Sequence, residues 1–390
     1  MSHRKAAPRF AFALVSMLAA GCGGPEDAAA PPPGGAVATS ELSPAGASVA
    51  VVLVAPPRPA PTTDERWHLV YELILVNLDP AVAVRMTRID VSDGDRGTAL
   101  ASFRDNGLAP LFEDFSTGEP SDGTAAPSGA VVAFIDLAIP RTGRLPSDLA
   151  HRITLDRGGH VTRISGPAVT VAAGALPIGP PLHGGNLLDI DGCCNGAHTR
   201  AFFVTPTSVS VSQRFAIDFV RVDDQKTFVG DPTRNESYFL FGAEVIAAES
   251  GRIVEVRDGL PENVPSQLPS FDIDSATGNH VVEALDDGRF VLYAHLATGS
   301  VRVQSGQRVQ RGQVVGLVGN SGHSDEPHLH FQVMDAPDSF DPNGLPYVFD
   351  RFRFQATVNL DADQPVATPV PAPQDRRQRL PMTGDIVAFP

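Results

Sequence analysis

From residue 49 to residue 355 the apolar residues keep no helical period; they come in short β-branched runs broken by Pro, Gly, Asp and Ser, and that pattern constrains the fold most. Between about 49 and 175 the runs are "VAVVLV", "WHLVYELILVNL", "VAVRMTRIDV", "AVVAFIDLAI" and "HRITL", a spacing that predicts an all-β sandwich. His68, Asp90 and Asp95 fall in this stretch with no mutual spacing that builds a site, and they read as strand-face or turn residues. Between about 180 and 355 glycines punctuate the runs, as in "FGAEVIAAESGRIVEV", "GNHVVEALDDGRFVLYAHL" and "VRVQSGQRVQRGQVVGLVGNSG". Glycine at each reversal with Val or Ile between predicts a tightly turning antiparallel barrel or sandwich. The Pro-rich tail 356–390 is expected to pack along the surface or to be loose.

The N-terminus speaks to compartment. His3, Arg4, Lys5 and Arg9 precede the apolar run "FAFALVSMLAA", a secretory leader too short to span a bilayer. It ends in "LAAGC", which resembles a bacterial lipobox over residues 1–22, with Cys22 as the lipidated residue. Ala19 stands where that pattern prefers Leu, and the alternative is a secreted chain that loses Cys22 with its leader. Residues 23–48, rich in Ala, Pro and Gly, read as a tether. The expected location is the cell envelope, as a membrane-anchored lipoprotein facing the periplasm. The remainder is long enough for two domains. A formal charge of −15 argues against nucleic-acid binding and against a polybasic membrane patch. With no later apolar stretch near 18 residues, a lipid on Cys22 would be the anchor. The other cysteines, Cys193 and Cys194, are adjacent, which rules out a disulfide scaffold and leaves open a vicinal disulfide or two buried thiols.

Chemistry concentrates in "SDEPHLHF". His328 and His330 flank one leucine, so on a strand they share a face about 7 Å apart. Such a pair could bind one metal, or bind with one ring and move protons with the other; two surface histidines are the bland alternative. Together with "LYAHL" at 292–296 and "RGQVVGLVGNSG" at 311–322, "PHLHF" resembles the lysostaphin-type (LytM-like) zinc metallopeptidases, over roughly residues 180–350. That resemblance implies a zinc ion (Zn2+) held by a histidine, an aspartate four residues later, and the second histidine of HxH. Carried onto this chain it makes His330 a ligand and His328 and His295 catalytic.

"SQRFAIDFV" places Asp218 at the aspartate position, but Arg214 stands four residues earlier, and a guanidinium has no lone pair for a cation. His198 in "GCCNGAHTR", 20 residues before Asp218, is the substitute implied by a divergent branch with a "CC…HR" segment before "QRFAID". The expected set is therefore His198, Asp218 and His330, with His183 a competing ligand read as a loop residue. His280 and His323 are expected at an exposed rim, and Arg214 beside a carboxylate of the substrate or near Asp218. Two imidazoles and a carboxylate leave a position for water, whose pKa zinc lowers to about 7. No HExxH helix is present, so a histidine must serve as base.

The resemblance implies an endopeptidase acting on stem peptides or cross-bridges of peptidoglycan, with the sandwich positioning or regulating it. The alternative is an inactive relative that binds cell wall or activates another hydrolase. A structural or adhesive lipoprotein would leave "YAHL" and "PHLHF" without a reason. The bond cut is not readable.

Overall fold

Strand Arg66–Asn77 carries an apolar run too long for a half-exposed strand, and His68 to Leu75 are buried without a break. The computed structural model, which describes residues 48–205, 208–360, 362 and 366–390, shows why. Alternate side chains Leu69, Tyr71, Leu73 and Leu75 point into one core with Met86, Ile89, Ile153 and Leu155 of a second sheet. Those between them face the second half of the chain, where Val70 joins the core of Phe215, Phe331 and Tyr347.

The first half thus consists of two antiparallel sheets meeting face to face. One orders Val49–Leu53, Arg66–Asn77, Ala130–Pro140 and Phe112–Asp114; the other His160–Ser165, Asp148–Arg157, Val84–Asp93 and Ala99–Arg104. Asp90 pairs with Arg88 on its strand and Asp95 accepts from Ser147 Oγ in a turn. His68 lies on its strand face but is not isolated: its ring nitrogens meet Asp136 and Asp64.

The second half is built on a ten-stranded sheet. Gly251–Arg257, Asn279–Leu285, Phe290–Leu296, Leu329–Met334, Ile217–Arg221, Gly184–Asp189, Asp385–Phe389, Phe352–Val358 and Ala367–Arg376 lie side by side in that order, with Arg308–Val309 at one edge. The ladder is antiparallel; a short parallel pair, Leu176–Ile178 with Tyr347–Phe349, lies outside it. The tail 356–390 departs from its expected loose character. Asp385–Phe389 ("DIVAF") is an interior strand between Gly184–Asp189 and Phe352–Val358, with Val387 fully buried. Its five apolar-rich residues sit behind a Pro-rich segment that hides them from local pattern.

Polar contacts join the halves as well. Arg214 makes a bidentate pair with Glu72 at 2.8 and 2.7 Å, and the two residues are 4% and 0% exposed. Arg214 therefore neither meets substrate nor neighbours Asp218: it fastens one half to the other. Glu65 meets Arg376 and Arg379, and Thr63 Oγ1 donates to Asp385.

Candidate metal centre

Leu329–Met334 delivers His330 because strand geometry fixes its neighbours. Asp218 lies directly opposite on Ile217–Arg221 and Ala294 opposite on Phe290–Leu296. His330 Nδ1 is 2.9 Å from Asp218 Oδ1, while its Nε2–H donates to Gln332 Oε1 at 2.8 Å. Gln332 is two residues along, on the same face, and fixes the ring so that Nδ1 keeps its lone pair.

His198 arrives from outside the sheet, on the single turn Ala197–Arg200. Its Nδ1–H donates to the Asp191 carbonyl at 2.6 Å, leaving Nε2 3.4 Å from Asp218 Oδ2. One donor atom from each of His198, Asp218 and His330 lies within 4.8 Å of the others. Two imidazole nitrogens with free lone pairs and one carboxylate, each imidazole oriented by a second hydrogen bond, fit a divalent cation such as zinc.

Charge follows this geometry. Burial would raise the Asp218 carboxyl, but His198, His328 and His330 around it hold it well below the usual carboxylate range. Burial would lower the His198 imidazole, and the charges of Asp218 and Asp191 outweigh it, so it is raised. Asp189, fully buried on the strand next to Asp218, is pushed well above its ordinary value, by burial first and then by Asp385, Asp191 and Asp218.

His295 and His328 adjoin the cluster, with ring centroids 4.7 Å apart. His295 has a φ of 61°, a left-handed conformation costing about 1–3 kcal/mol in a side chain of this kind. That conformation breaks strand alternation beside Ala294 and puts its ring 5.8 Å from His330. Its Nδ1–H donates to the Ser321 carbonyl at 2.8 Å, so Nε2 is bare. Burial, reinforced by His328 and His330, holds it well below the ordinary histidine range and keeps it neutral. His328 donates through Nδ1–H to the Glu326 carbonyl at 2.8 Å, and its Nε2 is 3.6 Å from Asp218.

The structure thus brings together all five residues singled out from the sequence within the described chain; Cys22, the leader and the tether through residue 47 lie outside it. His183 is an exposed loop residue whose Nδ1–H donates to the Pro390 carbonyl. His280 corrects the rim expectation, being 3% exposed between Gly278, Thr277 and Glu255, because its strand is interior to the sheet, between Gly251–Arg257 and Phe290–Leu296. His323 is half-buried, edge-on to Phe271. Asp191 and Gln332 were missed. Period-two alternation from His330 could have found Gln332; nothing local marks Asp191. His68, Asp136 and Cys194 also converge. Cys194 is disulfide-bonded to Cys193 and both His68 nitrogens already meet carboxylates, so this group lacks the free donors of the first.

Residues 239–342 match Peptidase family M23. That region contains His295, His328 and His330, whereas His198 and Asp218 precede it. The chain is similar to the cell division protein DipM of Caulobacter vibrioides, 32% identical over 96 residues, covering 25% of this chain and 14% of DipM. It is similar to the peptidoglycan DD-endopeptidase ShyA of Vibrio cholerae, 40% identical over 57 residues, covering 15% of this chain and 13% of ShyA. It is also similar to the glycyl-glycine endopeptidase ALE-1 of Staphylococcus capitis, 47% identical over 58 residues, covering 15% and 16%. The matches thus span about a seventh of these relatives. Among solved structures, the catalytic domain of lysostaphin from Staphylococcus simulans aligns at 24% identity over 34% of this chain and 77% of that one, with a TM-score of 0.23. The second half of this chain thus contains a region, residues 239–342, that matches peptidase family M23, the lysostaphin type.

Proposed function

We propose that the chain is a zinc-dependent endopeptidase that hydrolyses peptide bonds in peptidoglycan. The observation that carries this reading is the convergence of His198 Nε2, Asp218 and His330 Nδ1 beside two further histidines. Bound by the three, zinc would supply Lewis acidity, polarising a carbonyl and bringing the pKa of water to about 7. Neutral His295, with Nδ1–H committed to Ser321, offers the Nε2 lone pair that accepts a proton from the attacking water. His328, with Nδ1–H committed to Glu326, can donate through Nε2 to the oxygen or amine of the cleaved amide when its ring carries a second proton.

The activities that name two of the relatives, peptidoglycan DD-endopeptidase and glycyl-glycine endopeptidase, support peptidoglycan as the substrate class. A lipid on Cys22 would hold the enzyme at the envelope, facing the periplasm. Among the described residues no helix is long and apolar enough to cross a membrane.

The test is zinc content of the purified chain from residue 23 onward, beside His198→Ala and Arg214→Ala. One zinc per chain, lost in His198→Ala and kept in Arg214→Ala, followed by release of soluble fragments from peptidoglycan, supports the reading. A chain that binds no zinc favours the alternative of an inactive, cell-wall-binding or hydrolase-activating relative.

A further inference from the structure

His198 rests on four helical residues, far too few to hold themselves in place in water. Within its own half the turn is tethered by Asp191, through the His198 ring and through Ala197 N–H, which donates to Asp191 Oδ1 at 2.9 Å. The residues that follow are held by the other half.

Arg200 reaches into the first sheet. Its guanidinium pairs with Glu113 at 3.3 Å, donates to the Pro110 carbonyl, and lies 5.1 Å above the Phe134 ring. It also donates back to Asn195 Oδ1 at 2.9 Å, tying the loop before His198 to the same anchor. Two residues on, Phe202 stacks on Phe115 with centroids 5.3 Å apart and planes 16° apart. Val204 and Val209 continue this contact against Val54, Ile74 and Val132.

Beneath the turn the packing is incomplete. A cavity of about 210 Å³ separates the sheet from it, with Val70 and Asp136 on one side and Cys194 and Thr199 on the other. The turn therefore has room to shift, which the anchors at Arg200 and Phe202 restrict together with the Asp191 tether.

We infer that the first half's sheet is a working part of the metal centre: Glu113, Phe134 and Phe115 grip Arg200 and Phe202 and so position His198 Nε2 against Asp218 and His330. This rests on the reading of His198 as a ligand. Arg200 and Phe202 are positioning residues, since neither touches the donor atoms. In this chain a ligand supplied from outside the sheet replaces one that Arg214 cannot provide, and the sandwich fixes it.

The experiment is zinc affinity, measured by competition with a chromophoric chelator, for the purified chain, Arg200→Ala and Glu113→Gln, each also in a His198→Ala background. Arg200→Ala should weaken zinc binding tenfold or more and Glu113→Gln several-fold. Neither should weaken it further once His198 is gone, a pattern that general loosening of the fold would not produce. Should Arg200→Ala fail to fold, the isosteric Glu113→Gln decides. Parental affinity in both variants, or an equal loss with and without His198, overturns the inference. An unmodified chain that binds no zinc fails in a separate arm and overturns the metal reading itself.

Discussion

Breaking the Glu72–Arg214 pair should damage the protein more than removing it altogether. The guanidinium and carboxylate share two hydrogen bonds, at 2.8 and 2.7 Å, at a site almost closed to water. Charge-assisted bonds contribute about 1.5–3 kcal/mol each, and a buried pair that loses one partner costs about 3–5 kcal/mol because the survivor keeps its desolvation penalty. In Glu72→Ala the guanidinium would retain only Gly344 O at 3.2 Å and Asn343 Oδ1 at 3.3 Å, so the loss should lie within that range. The double replacement Glu72→Leu with Arg214→Met restores apolar volume and should recover most of it, to within about 1–2 kcal/mol of the parent. Urea unfolding followed by the single tryptophan, Trp67, reads this directly, because Trp67 lies on the same strand as Glu72. A single variant that loses under about 1 kcal/mol would refute the reasoning, as would a double variant no better than the singles.

Stability should also fall as pH rises from about 4.5 towards neutrality. Burial lifts Glu283 to about 7 from an ordinary 4.5 despite the hydrogen bond donated by Tyr293. The folded state therefore holds a proton the unfolded state has released, and about 3 kcal/mol is lost between those pH values. His68 adds to the same trend. Burial would lower it, but Asp136 and Asp64 raise it, so its contribution is present below pH 6.5 and is lost as pH climbs through its raised folded value. Glu283→Gln should flatten the Glu283 component of a urea-midpoint profile between pH 5 and 8; an unchanged slope would count against it. His295→Ala and His328→Ala should keep zinc yet hydrolyse peptidoglycan about 10²–10⁴-fold more slowly, and loss of metal in either would reassign that residue as a ligand. Val387→Asp, placing a carboxylate at a fully buried position, should cost over 4 kcal/mol and yield insoluble chain; a soluble product with parental melting would contradict the interior placement of its strand.

Of the residues nearest the chemistry, the pair His328 and His330 was legible from a local period, since they alternate with Leu329, whereas Asp218 and His295 were marked by the resemblance of "QRFAID" and "YAHL". His198 was legible only through the resemblance of its "CC…HR" segment, once Arg214 was seen to be unable to bind a cation. What stayed hidden depends on contacts far apart in sequence. Glu72 lies 142 residues before Arg214, so neither charge announces the other, and Arg214 was sought near the substrate when it belongs to the seam. Arg200 meets Glu113 across 87 residues, and nothing in "AHTR" reveals that half the molecule steadies it. His280 reads as an exposed rim histidine until Asn279–Leu285 is seen to be an interior strand on which its ring meets Glu255 of the neighbouring one.

The interior strand Asp385–Phe389 also fixes an order of events. Its neighbour Gly184–Asp189 leaves the ribosome on the order of 200 residues earlier and must wait with one ladder of hydrogen-bonding groups unpaired. Until the later strand arrives, that open edge can accept any passing extended segment, including one from another nascent copy. The sandwich half closes entirely within residues synthesised before 175, so it can fold first and offer Glu72 and Glu113 as a template. Biogenesis of the centre is then sequential, with the scaffold complete before the last strand seals the sheet that carries the chemistry.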